Sequence, residues 1–72
     1  MAELRFIGYI ADMVGDREMN VSLENPIKLK DILSAEIPED RCIVLINQRL
    51  GNMDSLIRDK DKVLIMPIIS GG

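Results

Sequence analysis

Few residues of this chain are of types that do chemistry, and the most conspicuous are its last two. Gly71 and Gly72 close the sequence PIISGG, directly behind the apolar stretch KVLIMPII. A frayed terminus would account for them. Yet glycine makes up about 7% of residues, so a terminal pair arises by chance only about once in two hundred chains. The chemical alternative is that the terminal carboxylate is itself the reactive group. Two residues without Cβ let a thin tail enter a narrow active site. A carboxylate is a poor electrophile until activated, for instance as an acyl adenylate, after which a sulfur or amine nucleophile can attack.

The other candidates are weaker. There is no histidine and a single cysteine, Cys42, so one chain offers no disulfide, no Cys/His zinc site and no His-based triad. Cys42 lies in an apolar run, where a cysteine is expected to be buried and inert. Asp54, Asp59 and Asp61 flank a turn but lack the twelve-residue calcium-loop pattern, so turn chemistry is the expectation and no metal site is assigned. Lys28, Lys30, Lys60 and Lys62 read as solvated charges. A chain of this kind is expected to be a substrate and carrier rather than a catalyst, with the catalytic groups on its partners.

With 72 residues there is room for one domain with a small core. The sequence is 47% hydrophobic but has one Phe, one Tyr and no Trp, so Ile, Leu, Val and Met must build that core, and wholesale disorder is excluded. Net charge is −3, and the basic residues are scattered, which argues against nucleic acid as a partner. No apolar run approaches a membrane span, and MAELRF lacks the features of a signal peptide, so no membrane association and a cytoplasmic location are expected.

The elements that must carry the tail can be read from periodicity. Residues 3–10 (ELRFIGYI) alternate, with Leu4, Phe6, Gly8 and Ile10 on one face and Glu3, Arg5, Ile7 and Tyr9 on the other. A loop containing the Gly15-Asp16 turn signal leads to residues 19–23 (MNVSL), completing a hairpin. Asn25-Pro26 looks like a helix start, and Leu29, Ile32, Leu33 and Ile37 form the stripe of a helix that Pro38 ends. Residues 42–46 (CIVLI) suit a central strand covered on both faces. Asn47-Gln48 turns the chain, residues 53–62 form a polar loop anchored by Leu56-Ile57, and residues 62–69 make the last strand, with Pro67 where the sheet frays or at an edge. The order predicts an α+β domain with one main helix across a mixed sheet of four to five strands.

This order, together with the SGG end, resembles the ubiquitin-like β-grasp sulfur carriers of the MoaD/ThiS type, and most closely the small subunit of molybdopterin synthase. Residues 47–72 (NQRLGNMDSLIRDKDKVLIMPIISGG) are similar to the family's Asn-Gln turn, Leu, Asp-x-Asp turn, apolar strand, Pro and terminal Gly-Gly. Residues 5–15 (RFIGYIADMVG) are similar to its first strand and following loop. Where the family usually has Asp-Gly-Asp, this chain has Asp59-Lys60-Asp61, and its paired prolines are Pro67-Ile68 here.

The resemblance implies a β-grasp domain over residues 1–69 and a flexible tail, residues 70–72. In that tail Ser70 and Gly71 would give access and the Gly72 carboxylate would be the working group. An adenylyltransferase of the ubiquitin-activating type would use ATP and Mg²⁺ to adenylate Gly72, with no cofactor bound permanently to the chain. Sulfur transfer would make a thiocarboxylate, and the large subunit of molybdopterin synthase would receive it. Carriers for thiamin thiazole synthesis or transfer RNA thiolation, a ubiquitin-like protein modifier, and a plain interaction module remain as alternatives.

The family's apolar docking positions match Ile7, Leu50 and Met66. Lys62, Leu64, Met66 and Ile68 share one side of the last strand, and Lys62 marks that side as solvated, so Met66 and Ile7 are expected on an open sheet face. The alternative is that the three residues complete a thin core.

Overall fold

In the computed structural model, residues 1–33 and 36–68 are described. The expected tail, residues 70–72, and Ile69, the expected end of the last strand, lie outside them.

β1 (Ala2–Phe6) alternates strictly, with Ala2, Leu4 and Phe6 buried and Glu3 and Arg5 exposed. β2 (Glu18–Val21) pairs antiparallel with it, placing Met19 opposite Leu4. β4 (Cys42–Ile46), β5 (Arg49–Gly51) and β7 (Lys62–Pro67) complete a five-stranded sheet in the order β2-β1-β7-β4-β5. Only β1 and β7 run parallel, so the sheet is mixed, as the sequence predicts. β7 is central, and its Val63 and Ile65 face the core with Leu4, Phe6 and Val44. Ile65 and Leu4 are fully buried, and each such side chain contributes roughly 1.5–3 kcal/mol.

The helices differ from expectation in place and length. The first strand stops at Phe6 instead of continuing to Ile10, because Gly8 takes φ 61°, ψ −138° and turns the chain into α1 (Tyr9–Val14). Ile10 is buried, but from a helix. Gly15, read as a turn signal, caps α1 in the left-handed region at φ 93°, its N–H donating to the Ala11 carbonyl at 2.8 Å.

Asn25-Pro26 does not start a helix. Ile27 and Lys28 instead form β3 (Ile27–Lys28), which pairs with β6 (Leu56–Ile57) as a separate two-stranded sheet. That pairing holds Lys28 extended, so α2 (Leu29–Ile32) begins four residues after the Asn25 cap signal. It ends where Leu33 returns to extended backbone at ψ 135°, ahead of Pro38, which instead precedes a 3₁₀ turn (Glu39–Arg41). Leu29, Leu33 and Ile37 are nevertheless all buried.

Asn47 and Gln48 turn the chain between β4 and β5 with φ 52° and 69°, the left-handed pair that matches strand twist in a two-residue hairpin. The Asn47 amide donates to Asp61 Oδ1 at 2.8 Å, and its Oδ1 accepts the Lys62 N–H at 3.0 Å. The Asn-Gln turn and the Asp-x-Asp turn are thus one hydrogen-bonded unit at the start of β7. Lys60 is not among the residues with positive φ, so the turn closed by the Asp61 N–H on the Arg58 carbonyl, 3.0 Å, needs no glycine there.

Asp59 joins a second set of contacts. One of its carboxylate oxygens accepts the Leu23 N–H at 2.9 Å, and the other faces the terminal amine at 3.4 Å. The Leu23 hydrogen bond is the main cause that holds its carboxyl below the usual carboxylate value, with the terminal amine adding to it. A depressed carboxyl contributes stability above its unfolded value, near pH 4, and loses it as pH falls through its folded value. Asp59→Asn is therefore expected to be less stable than the parent at pH 7 and to converge with it as pH falls below about 4, read from urea midpoints. A constant gap at all pH values contradicts this.

Candidate functional site

The strand registers assign one face of the sheet to a continuous surface. Arg5 is level with Leu64, Leu64 with Leu45, and Leu45 with Leu50, while Met66 is level with Ile43. The alternation of β1 continues to Ile7, whose N–H donates to the Ile65 carbonyl at 2.9 Å, and so brings Ile7 to the same face. Ile7 is 45% exposed and Leu50 79%, while Ile43, Leu45, Leu64 and Met66 are half-buried. The structure therefore places Ile7, Leu50 and Met66 on one open face.

CIVLI is accordingly not covered on both sides. Cys42 and Val44 are buried and Ile43 and Leu45 are not, because α1 and α2 both contribute buried residues to the opposite face of the sheet.

The open face is divided in two. At the start of β7, Lys62 lies 4.0 Å from Glu3, and Arg5 pairs with Glu18 at 2.8 Å. These exposed pairs are worth little energetically but keep that end solvated. Toward the end of β7 the surface is apolar, through Met66, Ile43 and Ile7 to Ile68, 47% exposed. The apolar half thus adjoins the point where the chain leaves for residues 69–72.

Pro67 lies past the last rung between β1 and β7, which is Phe6 with Ile65. It sits level with Cys42, and the flanking Ile68 N–H donates to the Arg41 carbonyl at 3.0 Å. Antiparallel alternation then turns the Pro67 nitrogen toward the β1 side, where β1 has ended and no ladder donor is needed. The expectation that Pro67 marks a fraying sheet holds in that form.

Cys42 is buried. Burial, then the charges of Glu39 and Asp40, push its thiol up, so it stays protonated and is a poor nucleophile. Asp54 accepts an ion pair from Lys30 at 3.0 Å, and its backbone N–H donates to Asn52 Oδ1 at 2.8 Å, while Asp59 and Asp61 bind backbone amides. Of the three carboxylates, that of Asp61 closes its own turn on the Arg58 N–H, while those of Asp54 and Asp59 tie down distant segments through Lys30 and the Leu23 N–H. Among the described residues no group of three or more His, Cys, Asp or Glu is placed to hold a metal ion, and no helix is long and apolar enough to cross a membrane. Ser70, Gly71 and Gly72 lie outside the described residues.

A five-stranded mixed sheet with helices packed on one side, a parallel pair at its centre and an open apolar face beside the exit of its last strand defines a ubiquitin-like β-grasp protein. Solved structures agree. SAMP1 from Haloferax volcanii superposes with a TM-score of 0.73 at 20% identity, covering 99% of this chain and 98% of that one. A protein described as molybdopterin converting factor, subunit 1, from Pyrococcus furiosus gives 0.68 at 17% identity over 94% and 97%. The small archaeal modifier protein 1 of Methanosarcina acetivorans gives 0.63 at 20% over 99% and 95%. No curated protein sequence matches the chain.

The ThiS family profile matches residues 4–72, and the chain belongs to that family. It is a ubiquitin-like β-grasp protein of the sulfur-carrier kind.

Sequence reasoning missed α1 and with it Tyr9, whose phenol donates to the Arg41 carbonyl at 3.1 Å. Residues 9 and 41 are 32 apart in the chain, and nothing local in either segment signals the contact.

Proposed function

We propose that this protein is a sulfur carrier whose Gly72 carboxylate is adenylated and then converted to a thiocarboxylate, and that it supplies sulfur for molybdopterin as the small subunit of its synthase. The observation that carries the reading is the reach of the ThiS match, which runs through the Gly71-Gly72 pair to residue 72. The scarcity of catalytic groups among the described residues is consistent with a substrate role.

In the first step a carboxylate oxygen of Gly72 attacks the α-phosphorus of ATP bound with Mg²⁺ in the activating partner, and pyrophosphate leaves. A hydrosulfide-type nucleophile then attacks the acyl carbon, AMP leaves, and the thiocarboxylate remains. The partners dock on the open face through Ile7, Leu50 and Met66, the kind of exposed apolar surface that marks an interface. Docking there puts the partner beside the tail.

A second reading is supported by two of the superposed structures, which are modifier proteins. In it the activated Gly72 is captured by a lysine amine and forms an isopeptide bond. Intact mass of the protein isolated gently from its host, with fragmentation of the last peptide, tests both. One terminal oxygen replaced by sulfur on Gly72 is expected. Branched peptides bearing the tail on lysine would favour the modifier reading. An unmodified chain after supply of ATP, sulfide and the activating enzyme would refute both.

A further inference from the structure

The root of the tail is held in an unusual way. On the β1 side Pro67 offers no N–H and β1 has ended, so the ladder that fixes β7 along most of its length is absent there. What remains is the Arg41 carbonyl, which accepts two hydrogen bonds. One comes from the Ile68 N–H at 3.0 Å, the last described rung before residues 69–72. The other comes from the Tyr9 phenol at 3.1 Å.

Tyr9 is itself set in place by the backbone before it. Gly8 adopts φ 61°, ψ −138°, a region strained for residues with a side chain. A Cβ on Gly8 would lie 3.3 Å from Cγ of Pro67. The start of α1 is therefore seated directly against the Pro67 ring, and the phenol reaches from there across to Arg41. Arg41 is in turn tied to its own turn by its N–H on the Pro38 carbonyl at 3.1 Å. Tyr9 is 43% exposed, so burial of the ring alone does not explain a phenol directed at the carbonyl that accepts the Ile68 N–H.

We propose that Tyr9 is a positioning residue for the tail. By fixing the Arg41 carbonyl it sets the direction in which residues 69–72 leave the domain, and hence the approach of the Gly72 carboxylate to the activating partner. This rests on the carrier reading of Gly72. It requires no contact between Tyr9 and the reacting atoms. Its effect is on orientation, where a small misplacement is costly in rate.

Tyr9→Phe keeps the ring and removes the hydrogen bond. Amide hydrogen exchange at Ile68 is expected to quicken about fivefold, the population change that an ordinary net hydrogen bond corresponds to, with Ile65 and Val44 unchanged. The kcat for adenylation by the activating enzyme, followed by ATP–pyrophosphate exchange, is expected to fall by a similar factor with KM unchanged. Unaltered Ile68 exchange overturns the proposal. So does a rise in KM at constant kcat, which would make Tyr9 a docking contact. If the parent chain is not adenylated at all, the carrier reading fails instead, and Ile68 exchange in Tyr9→Phe still decides whether the phenol holds the tail root.

Discussion

Deletion of Gly71 and Gly72 is expected to abolish adenylation and sulfur loading completely while leaving the unfolding midpoint of the domain unchanged. The reasons for the two halves of this result differ. The described core runs from Ala2 to Ile65, and the last described rung is Ile68 on Arg41, so all of these contacts are retained in the shortened chain. The shortened chain still ends in a carboxylate, but on Ser70, with a side chain where the tail must be thin and two residues short of the required reach. A step that depends on placing one carboxylate in line with a phosphorus loses its rate when that atom is displaced by far more than an ångström. Circular dichroism melts and ATP–pyrophosphate exchange on the same samples give both readouts. Full exchange activity in the deleted chain would show that Gly72 is not the working group. A large fall in midpoint would show that the tail belongs to the fold.

Much of the architecture is legible locally. β1, β4 and β7 show themselves through period-two alternation or short apolar runs, and the Asn47-Gln48 turn through residue types that tolerate left-handed backbone. What is not legible is decided at long range. Asn25-Pro26 carries a sound local cap signal, and it is overruled because Ile27 and Lys28 find ladder partners in Leu56 and Ile57 thirty residues later. α1 escapes notice because it is six residues long, has no side-chain cap and shows only Ile10, Ala11 and Val14 as its inward stripe. The run CIVLI misleads in a more instructive way. Five consecutive apolar residues signal cover on both faces, but the pattern does not say whether this chain or another supplies the second cover. Within this chain one face of the strand is buried and the other is open.

That ambiguity is resolved by two neighbouring residues of β7. Ile65 is fully buried and Met66, the next residue, turns to the open face level with Ile43. Ile65→Ala is expected to cost about 2–5 kcal/mol, the transfer and cavity cost of a buried isoleucine. A chain of this length has on the order of 4–11 kcal/mol in total. At about 4–8 °C per kcal/mol for a domain of this size, the melting midpoint should drop by roughly 8–40 °C. Met66→Asp alters a half-buried residue of the open face and leaves the buried core intact, so its cost to folding should stay within about 1 kcal/mol. In a complex the same carboxylate would be desolvated against an apolar partner with nothing to pair it, and binding to the proposed partner, the large subunit of molybdopterin synthase, should weaken by about thirtyfold or more. The two variants are thus expected to separate cleanly, one losing stability and the other losing the partner, in paired melting and titration experiments. If Met66→Asp instead unfolds the protein as Ile65→Ala does, the open face is part of the core and the docking assignment of Ile7, Leu50 and Met66 falls with it.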